Sequence, residues 1–183
     1  MRLFIDNKFL IDSKALEETE KALNDWAGKH SGQVVWAYEW NGETNQDDWI
    51  TFLNNKIQSE EKINLLTKPE VVLKQEMKDS VLIYCANVKE HLPPVIDGLF
   101  GTMPEKETGK LADLFEGLNF LISSVSLLNV GMDLSERNQA VIELSNAFES
   151  KDFVELADLL KYDWLPWVRE YEKEIQTLHV GIS

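Results

Sequence analysis

The sequence predicts an α+β protein: a small β-grasp-like sheet with one main helix at residues 1–67, then a C-terminal helical bundle at 68–183. Three observations predict it. Residues Gln33 to Trp40 alternate as a strand does, with Val34, Trp36, Tyr38 and Trp40 on one face and Val35, Ala37 and Glu39 on the other, before an Asn41-Gly42 turn. From Lys110 to Val130, apolar residues including Leu111, Leu114, Phe115, Leu118, Leu121, Ile122, Val125 and Leu128 cover more than one side of a helix, which then needs neighbours on several sides. Near the end, Phe153, Ala157, Leu160, Trp164, Trp167, Tyr171 and Leu178 recur at spacings close to alternating fours and threes, the stripe of a long helix laid against a bundle.

In chain order, Leu3-Phe4-Ile5 and Phe9-Leu10-Ile11 read as a hairpin turned at Asp6-Asn7, two residues that tolerate a left-handed backbone. Asp12-Ser13 is placed to cap a helix over Lys14–Lys29, whose stripe is Leu16, Leu23 and Trp26. After the Gln33–Trp40 strand and a brief return at Glu43-Thr44, Asp47-Asp48 offers caps to a short helix with Trp49, Ile50, Leu53 and Ile57. Ile63 to Thr67 is the last strand. The boundary is expected at Thr67, because Thr67-x-x-Glu70 has the form of a capping box and Pro69 suits a first helical turn.

The second part opens with a long helix through Val71, Met77, Val81, Cys85, Val88 and Leu92, which Pro93-Pro94 should kink or interrupt. Gly101 and the Pro104/Gly109 interval favour a connector before the Lys110–Val130 helix, which is expected to end near Gly131. Asp133-x-x-Glu136 then has capping form for a helix carrying Ala140, Val141, Leu144 and Phe148. Pro166 should bend the last helix locally, and since the apolar stripe keeps phase on both sides, one kinked helix is expected instead of two.

Composition narrows function by exclusion. With 44% apolar residues in 183, the chain can bury a core, and a formal charge of −14 opposes binding to nucleic-acid phosphates or an anionic membrane. One cysteine cannot form an internal disulfide, and Met1-Arg2-Leu3 leads into a strand and not a signal-peptide core, so cytoplasmic residence is expected. His30, His91 and His179 are widely separated and lack metal-ligand spacing; Cys85 sits on an apolar helix face as a buried thiol would. Asp6, Asp12, Asp47 and Asp48 fit turns and caps, and Gly98, Gly101 and Gly109 make no phosphate loop. No catalytic residue, metal or cofactor is expected.

Two segment pairs extend a resemblance over much of the chain. Leu3-Phe4-Ile5-Asp6-Asn7-Lys8, the Val34-to-Gly42 strand and turn, Glu116-Gly117-Leu118-Asn119-Phe120-Leu121, and the run from Lys151-Asp152-Phe153 to Trp164-Leu165-Pro166 resemble an uncharacterised group of small bacterial proteins, chiefly from Firmicutes. Asn7 stands where that group is expected to have glycine. The resemblance implies no activity, cofactor or partner, so it transfers no functional residue.

The aromatic faces carry the functional expectation. Trp36, Tyr38 and Trp40, with Trp167 and Tyr171, are the candidate protein-binding residues, because large rigid rings give contact area at little entropic cost. Burial in a core is the competing role for each. The leading expectation is a non-enzymatic protein-interaction or regulatory module, an adaptor or chaperone, with a protein partner bearing a basic surface; homo-oligomerisation is left open. The alternatives are an acidic immunity protein or inhibitor covering a basic toxin or enzyme, and an enzyme with a carboxylate site between the two parts.

Overall fold

A computed structural model describes residues 1–100 and 108–181 of the chain. It divides into two compact units, Met1–Leu73 and Lys74–Gly181.

In the first unit, β1 (Arg2–Ile5) and β2 (Lys8–Asp12) form an antiparallel hairpin. Asp6 and Asn7 both take positive φ, 47° and 63°, the left-handed pair that matches strand twist in a two-residue turn. Helix α1 (Leu16–Lys29) follows, then β3 (Gln33–Trp40) and β4 (Glu43–Asn45), joined through a second left-handed pair at Asn41 and Gly42. Helix α2 (Trp49–Lys56) is capped by Asp48, whose carboxylate accepts from the Ile50 and Thr51 amides at 3.0 and 3.2 Å. The closing strand β5 (Lys62–Pro69) lies between β1, to which it is parallel, and β3, to which it is antiparallel, giving the order β2-β1-β5-β3-β4. That order, with first and last strands side by side and parallel, is the β-grasp arrangement. Met1, Leu3, Ile5, Tyr38, Leu53, Ile63 and Leu65 are buried together, with Leu23 and Trp26 of α1 packed on them.

Three local expectations give way to longer-range partners. Thr67 and Pro69 belong to β5, and no capping box forms: the Thr67 amide and hydroxyl donate to the Asp6 carboxylate at 2.9 and 2.5 Å, tying the β1–β2 turn to the last strand. At α1 the N-cap is Ala15 without a side-chain cap; Ser13 instead accepts from the Ala15 amide at 2.9 Å and donates to Glu18 at 2.6 Å. The alternation of β3 breaks at Trp36, where Val35 pairs with Thr67 and Ala37 with Leu66, leaving Trp36 as the extra residue of a bulge. Val35, Tyr38 and Trp40 therefore pack with the core under the helices, and Trp36 does not share their face.

The second unit contains α3 (Glu70–Leu99), whose N-terminal residues belong to the first, and α4 (Thr108–Leu127), α5 (Ser135–Ser150), α6 (Phe153–Asp158), a π-helical turn (Leu159–Trp164) and α7 (Leu165–Thr177). Pro93 and Pro94 lie inside α3, which continues through them to Leu99. Of the expected connector, Gly101 and Pro104 are outside the described residues and Gly109 falls in the first turn of α4. α4 buries Leu111, Leu118, Leu121, Val125 and, just past its end, Leu128, while Asp113, Glu116, Asn119 and Ser123 mark a solvent side. It stops at Leu127, short of Gly131, and Asn129 takes a left-handed φ of 55°. Asp133 does not act as the N-cap of α5, which is Leu134; its carboxylate accepts from the Ser135 amide at 2.8 Å. Lys151, left-handed at φ 58°, ends α5.

The last helix keeps one direction of burial across Pro166. Proline has no N–H for the i−4 carbonyl and its ring crowds that carbonyl, so an α-helical register cannot pass it undisturbed. The π turn takes up the conflict, and the Leu165 amide donates to Leu160 O, five residues back. Leu156, Ala157, Leu160, Trp164, Val168, Tyr171 and Ile175 are all fully buried, with Phe153 packed against them. Across the unit, the Tyr84 ring of α3 lies on Gly117 of α4, so closely that a β-carbon at Gly117 would fall on the ring's hydroxyl end.

Two stability measurements follow. Trp164→Ala, at a site with 0% exposure, is expected to cost about 3–5 kcal/mol in reversible urea denaturation; a loss near zero would mean the ring is not enclosed. Gly117→Ala is expected to cost about 1–3 kcal/mol by overpacking against Tyr84. Much of that loss should disappear when Tyr84→Leu is added, and strict additivity of the two changes would contradict the contact.

Candidate functional site

The five aromatic residues singled out by pattern have different fates. Tyr38 is buried, stacked on Phe52 with centroids 4.2 Å apart; burial, with the Asp47 carboxylate as hydrogen-bond partner and neighbouring charge, pushes its phenol up to about 12. Trp40 is half-buried and fixed on several sides: its indole N–H donates to Glu61 at 2.8 Å, Lys56 sits 4.2 Å above the ring, and Phe52 meets it edge-on. Trp36, half-buried at the bulge, has Lys68 Nζ 3.9 Å from its ring centroid. Trp167 is buried between Trp164, edge-on at 5.7 Å, and Tyr171, stacked at 5.4 Å. Tyr171 is fully buried, its hydroxyl 2.7 Å from Ser124 Oγ, and burial pushes its phenol up to about 12.

These contacts place Tyr38, Trp167 and Tyr171 inside the two cores. Trp36 and Trp40 keep some exposed area, with a lysine already over each ring. The Trp164 and Trp167 indole nitrogens are buried without a hydrogen-bond partner among the described residues, an arrangement that costs about 1–3 kcal/mol for each unsatisfied group. Filling the core with both rings offsets that cost through the apolar area they bury.

The titratable residues are dispersed. The Cys85 thiol is buried, and burial pushes it up to about 12, far from the thiolate range of a nucleophile at neutral pH. His30 stacks on Trp26 and donates to its carbonyl at 2.8 Å; His179 does the same to Thr177 O. His91 lines a shallow, mostly apolar depression of about 340 Å³ between α3 and α4, with Tyr84, Asn87 and Asp113. Among the described residues, no group of His, Cys, Asp and Glu is arranged to hold a metal ion. No helix among them is long and apolar enough to cross a membrane.

Among the described residues, α1 and α2 enclose an apolar groove. Its floor is Leu23, Trp49, Leu53 and Ile57, its lips are Leu16 and Ile50, and its volume is about 300 Å³. Leu16 is 41% exposed and Ile50 55%, values that leave much of each side chain in water beside an already apolar floor. Glu20, Asn24 and Asn54 supply the polar rim. Sequence pattern put Leu16 in the apolar stripe of its helix and Ile50 among the apolar residues of the short helix; both lie at the edge of the buried strip, which periodicity alone does not reveal.

The bulge has a measurable consequence. Tyr38→Ala is expected to cost about 3–5 kcal/mol, as for other buried aromatic rings, and Trp36→Ala clearly less, read by reversible urea unfolding. The reverse order would restore the uninterrupted alternation of β3 and contradict the bulge.

No curated protein and no solved structure matches the chain. A family model described as a domain of unknown function, DUF8042, matches residues 76–174, more than half of the chain and nearly all of the helical unit. The chain belongs to that family, of unknown function.

Proposed function

We propose that this protein acts by binding another protein, as a non-enzymatic interaction or regulatory module of the adaptor or chaperone kind. The α1–α2 groove carries the proposal: an apolar floor with Leu16 and Ile50 projecting beside it takes one face of an amphipathic partner helix. A net charge of −14 favours a partner whose rim is basic, which raises its encounter rate and makes binding sensitive to salt. The resemblance to small bacterial proteins supports a bacterial, cytoplasmic setting for that encounter.

Capture from a native bacterial lysate, followed by titration with the purified partner, tests the proposal. Ile50→Asp is expected to weaken binding at least tenfold with the thermal midpoint unchanged, because the residue is exposed and a charge on the lip disrupts apolar contact. Equal binding by wild type and Ile50→Asp would remove the groove from the proposal. The acidity also supports the reading as an inhibitor of a basic toxin or enzyme. In that case the captured partner loses its activity on binding and regains it as salt rises; a partner that stays active while bound excludes it.

A further inference from the structure

Among the described residues, the outer side of α6 and the π turn presents a second unpartnered surface, inside the segment that the family model matches. Its inner side, Leu156, Ala157, Leu160 and Trp164, is buried in the bundle. On the outer side, Val154 is 58% exposed and Tyr162 63% exposed, and with half-buried Leu159 they floor an open depression of about 630 Å³. Val154 and Asp158 are four residues apart on α6, so they project along one ridge, and Tyr162 of the π turn lines the same depression. Glu155, Asp158 and Asp163 stand around this floor, and among the described residues none of their carboxylates has an ion-pair or hydrogen-bond partner. Asp152, at the edge, accepts from the Glu155 amide as the cap of α6. The nearby cations are Lys151, before the cap, Lys161, whose ammonium lies 5.2 Å from the Tyr162 centroid, and Arg137, whose guanidinium donates to the Asp163 backbone carbonyl at 3.4 Å and lies 3.9 Å from Glu136; the four carboxylates of the face and Glu136 against these three cations leave it negative.

We infer that this face docks a basic amphipathic segment of a partner protein, one that places apolar side chains on Val154, Leu159 and Tyr162 and lysines or arginines opposite Glu155, Asp158 and Asp163. Charge decides between occupants. A second copy of this chain brings another −14, and an anionic lipid surface or a nucleic acid meets the same repulsion. A cation alone would leave the apolar floor exposed. A segment that is both basic and apolar satisfies both parts of the surface. The face shares no residue with the α1–α2 groove, and the inference stands whether or not that groove binds anything.

The test uses the full chain carrying Ile50→Asp, which disables the groove, and a fluorescent amphipathic lysine/leucine peptide followed by anisotropy. Binding is expected, weakening at least tenfold between about 0.05 M and about 0.5 M salt as screening shortens the reach of the carboxylates. Glu155→Gln, Asp158→Asn and Asp163→Asn together should weaken it at least tenfold, and Tyr162→Ser should weaken it too. Removing three carboxylates elsewhere, with Glu90→Gln, Glu143→Gln and Glu149→Gln, should change it less than threefold. All of these positions are exposed, and an unchanged circular dichroism spectrum and thermal midpoint check that each variant is folded. Several results would overturn the inference: no binding by the parent chain, equal weakening by both triple variants, or equal binding of a lysine/serine peptide that lacks the apolar residues. Self-association lost in the first triple variant, without peptide binding, would assign the face to a second copy instead.

Discussion

The helical unit depends on how the chain passes Pro166. A residue without an N–H, in the middle of the apolar stripe, would ordinarily end the helix or swing its second half away from the bundle. Here the backbone widens for six residues, Leu159–Trp164, and the Leu165 amide bonds five residues back. The direction of burial then persists from Leu156 to Ile175, so that Trp164, Trp167 and Tyr171 enter one core with Cys85, Leu121 and Val125. Two buried indole N–H groups without partners among the described residues are the unfavourable side of that arrangement. Close fit elsewhere supports it: only a residue without a β-carbon lets α4 approach the Tyr84 ring as Gly117 does.

The sheet unit uses the same division of labour by other means. Parallel pairing of β1 with β5 brings the two ends of the unit together, and the Asp6 carboxylate fixes the junction through Thr67. The bulge at Trp36 then decides which rings of β3 reach the core: Tyr38 is enclosed and Trp40 is held by Glu61, Lys56 and Phe52. Phe9 of β2 is exposed, but most of the large apolar side chains left in water lie on helices, among them Leu16 and Ile50 in one unit and Val154 and Tyr162 in the other. Both lie on a strongly acidic chain, which supports the proposal of basic amphipathic partners.

Features that depend on near neighbours were legible in the sequence. The left-handed turns at Asp6-Asn7 and Asn41-Gly42, the Asp48 cap and the extent of β3 each follow from residue type within a few positions. The continuous burial of the last helix was legible too, because its stripe keeps phase through Pro166. Features set by distant partners were not. Thr67 has the spacing of a capping box, but Asp6, far away in sequence, takes its hydroxyl; period two through Val34–Trp40 says nothing of a bulge that exists only in the pairing with β5. The candidate binding residues suffered most from this. Pattern identifies rings that share a face, and only packing shows that Tyr38, Trp167 and Tyr171 are enclosed while Ile50 and Tyr162 stand out.

The central claim is that recognition lies on exposed helical faces and the tryptophans serve the fold. It is tested most directly by nitrogen-15 NMR of the full chain titrated with the lysine/leucine peptide, following backbone amides and the six indole N–H signals together. Shifts are expected along α1, α2 and Val154–Asp163, with the Trp164 and Trp167 indole signals slow to exchange in D₂O and unmoved by the peptide. Shifts concentrated at the Trp36 and Trp40 indoles, with the helical faces silent, would contradict the claim and return recognition to β3.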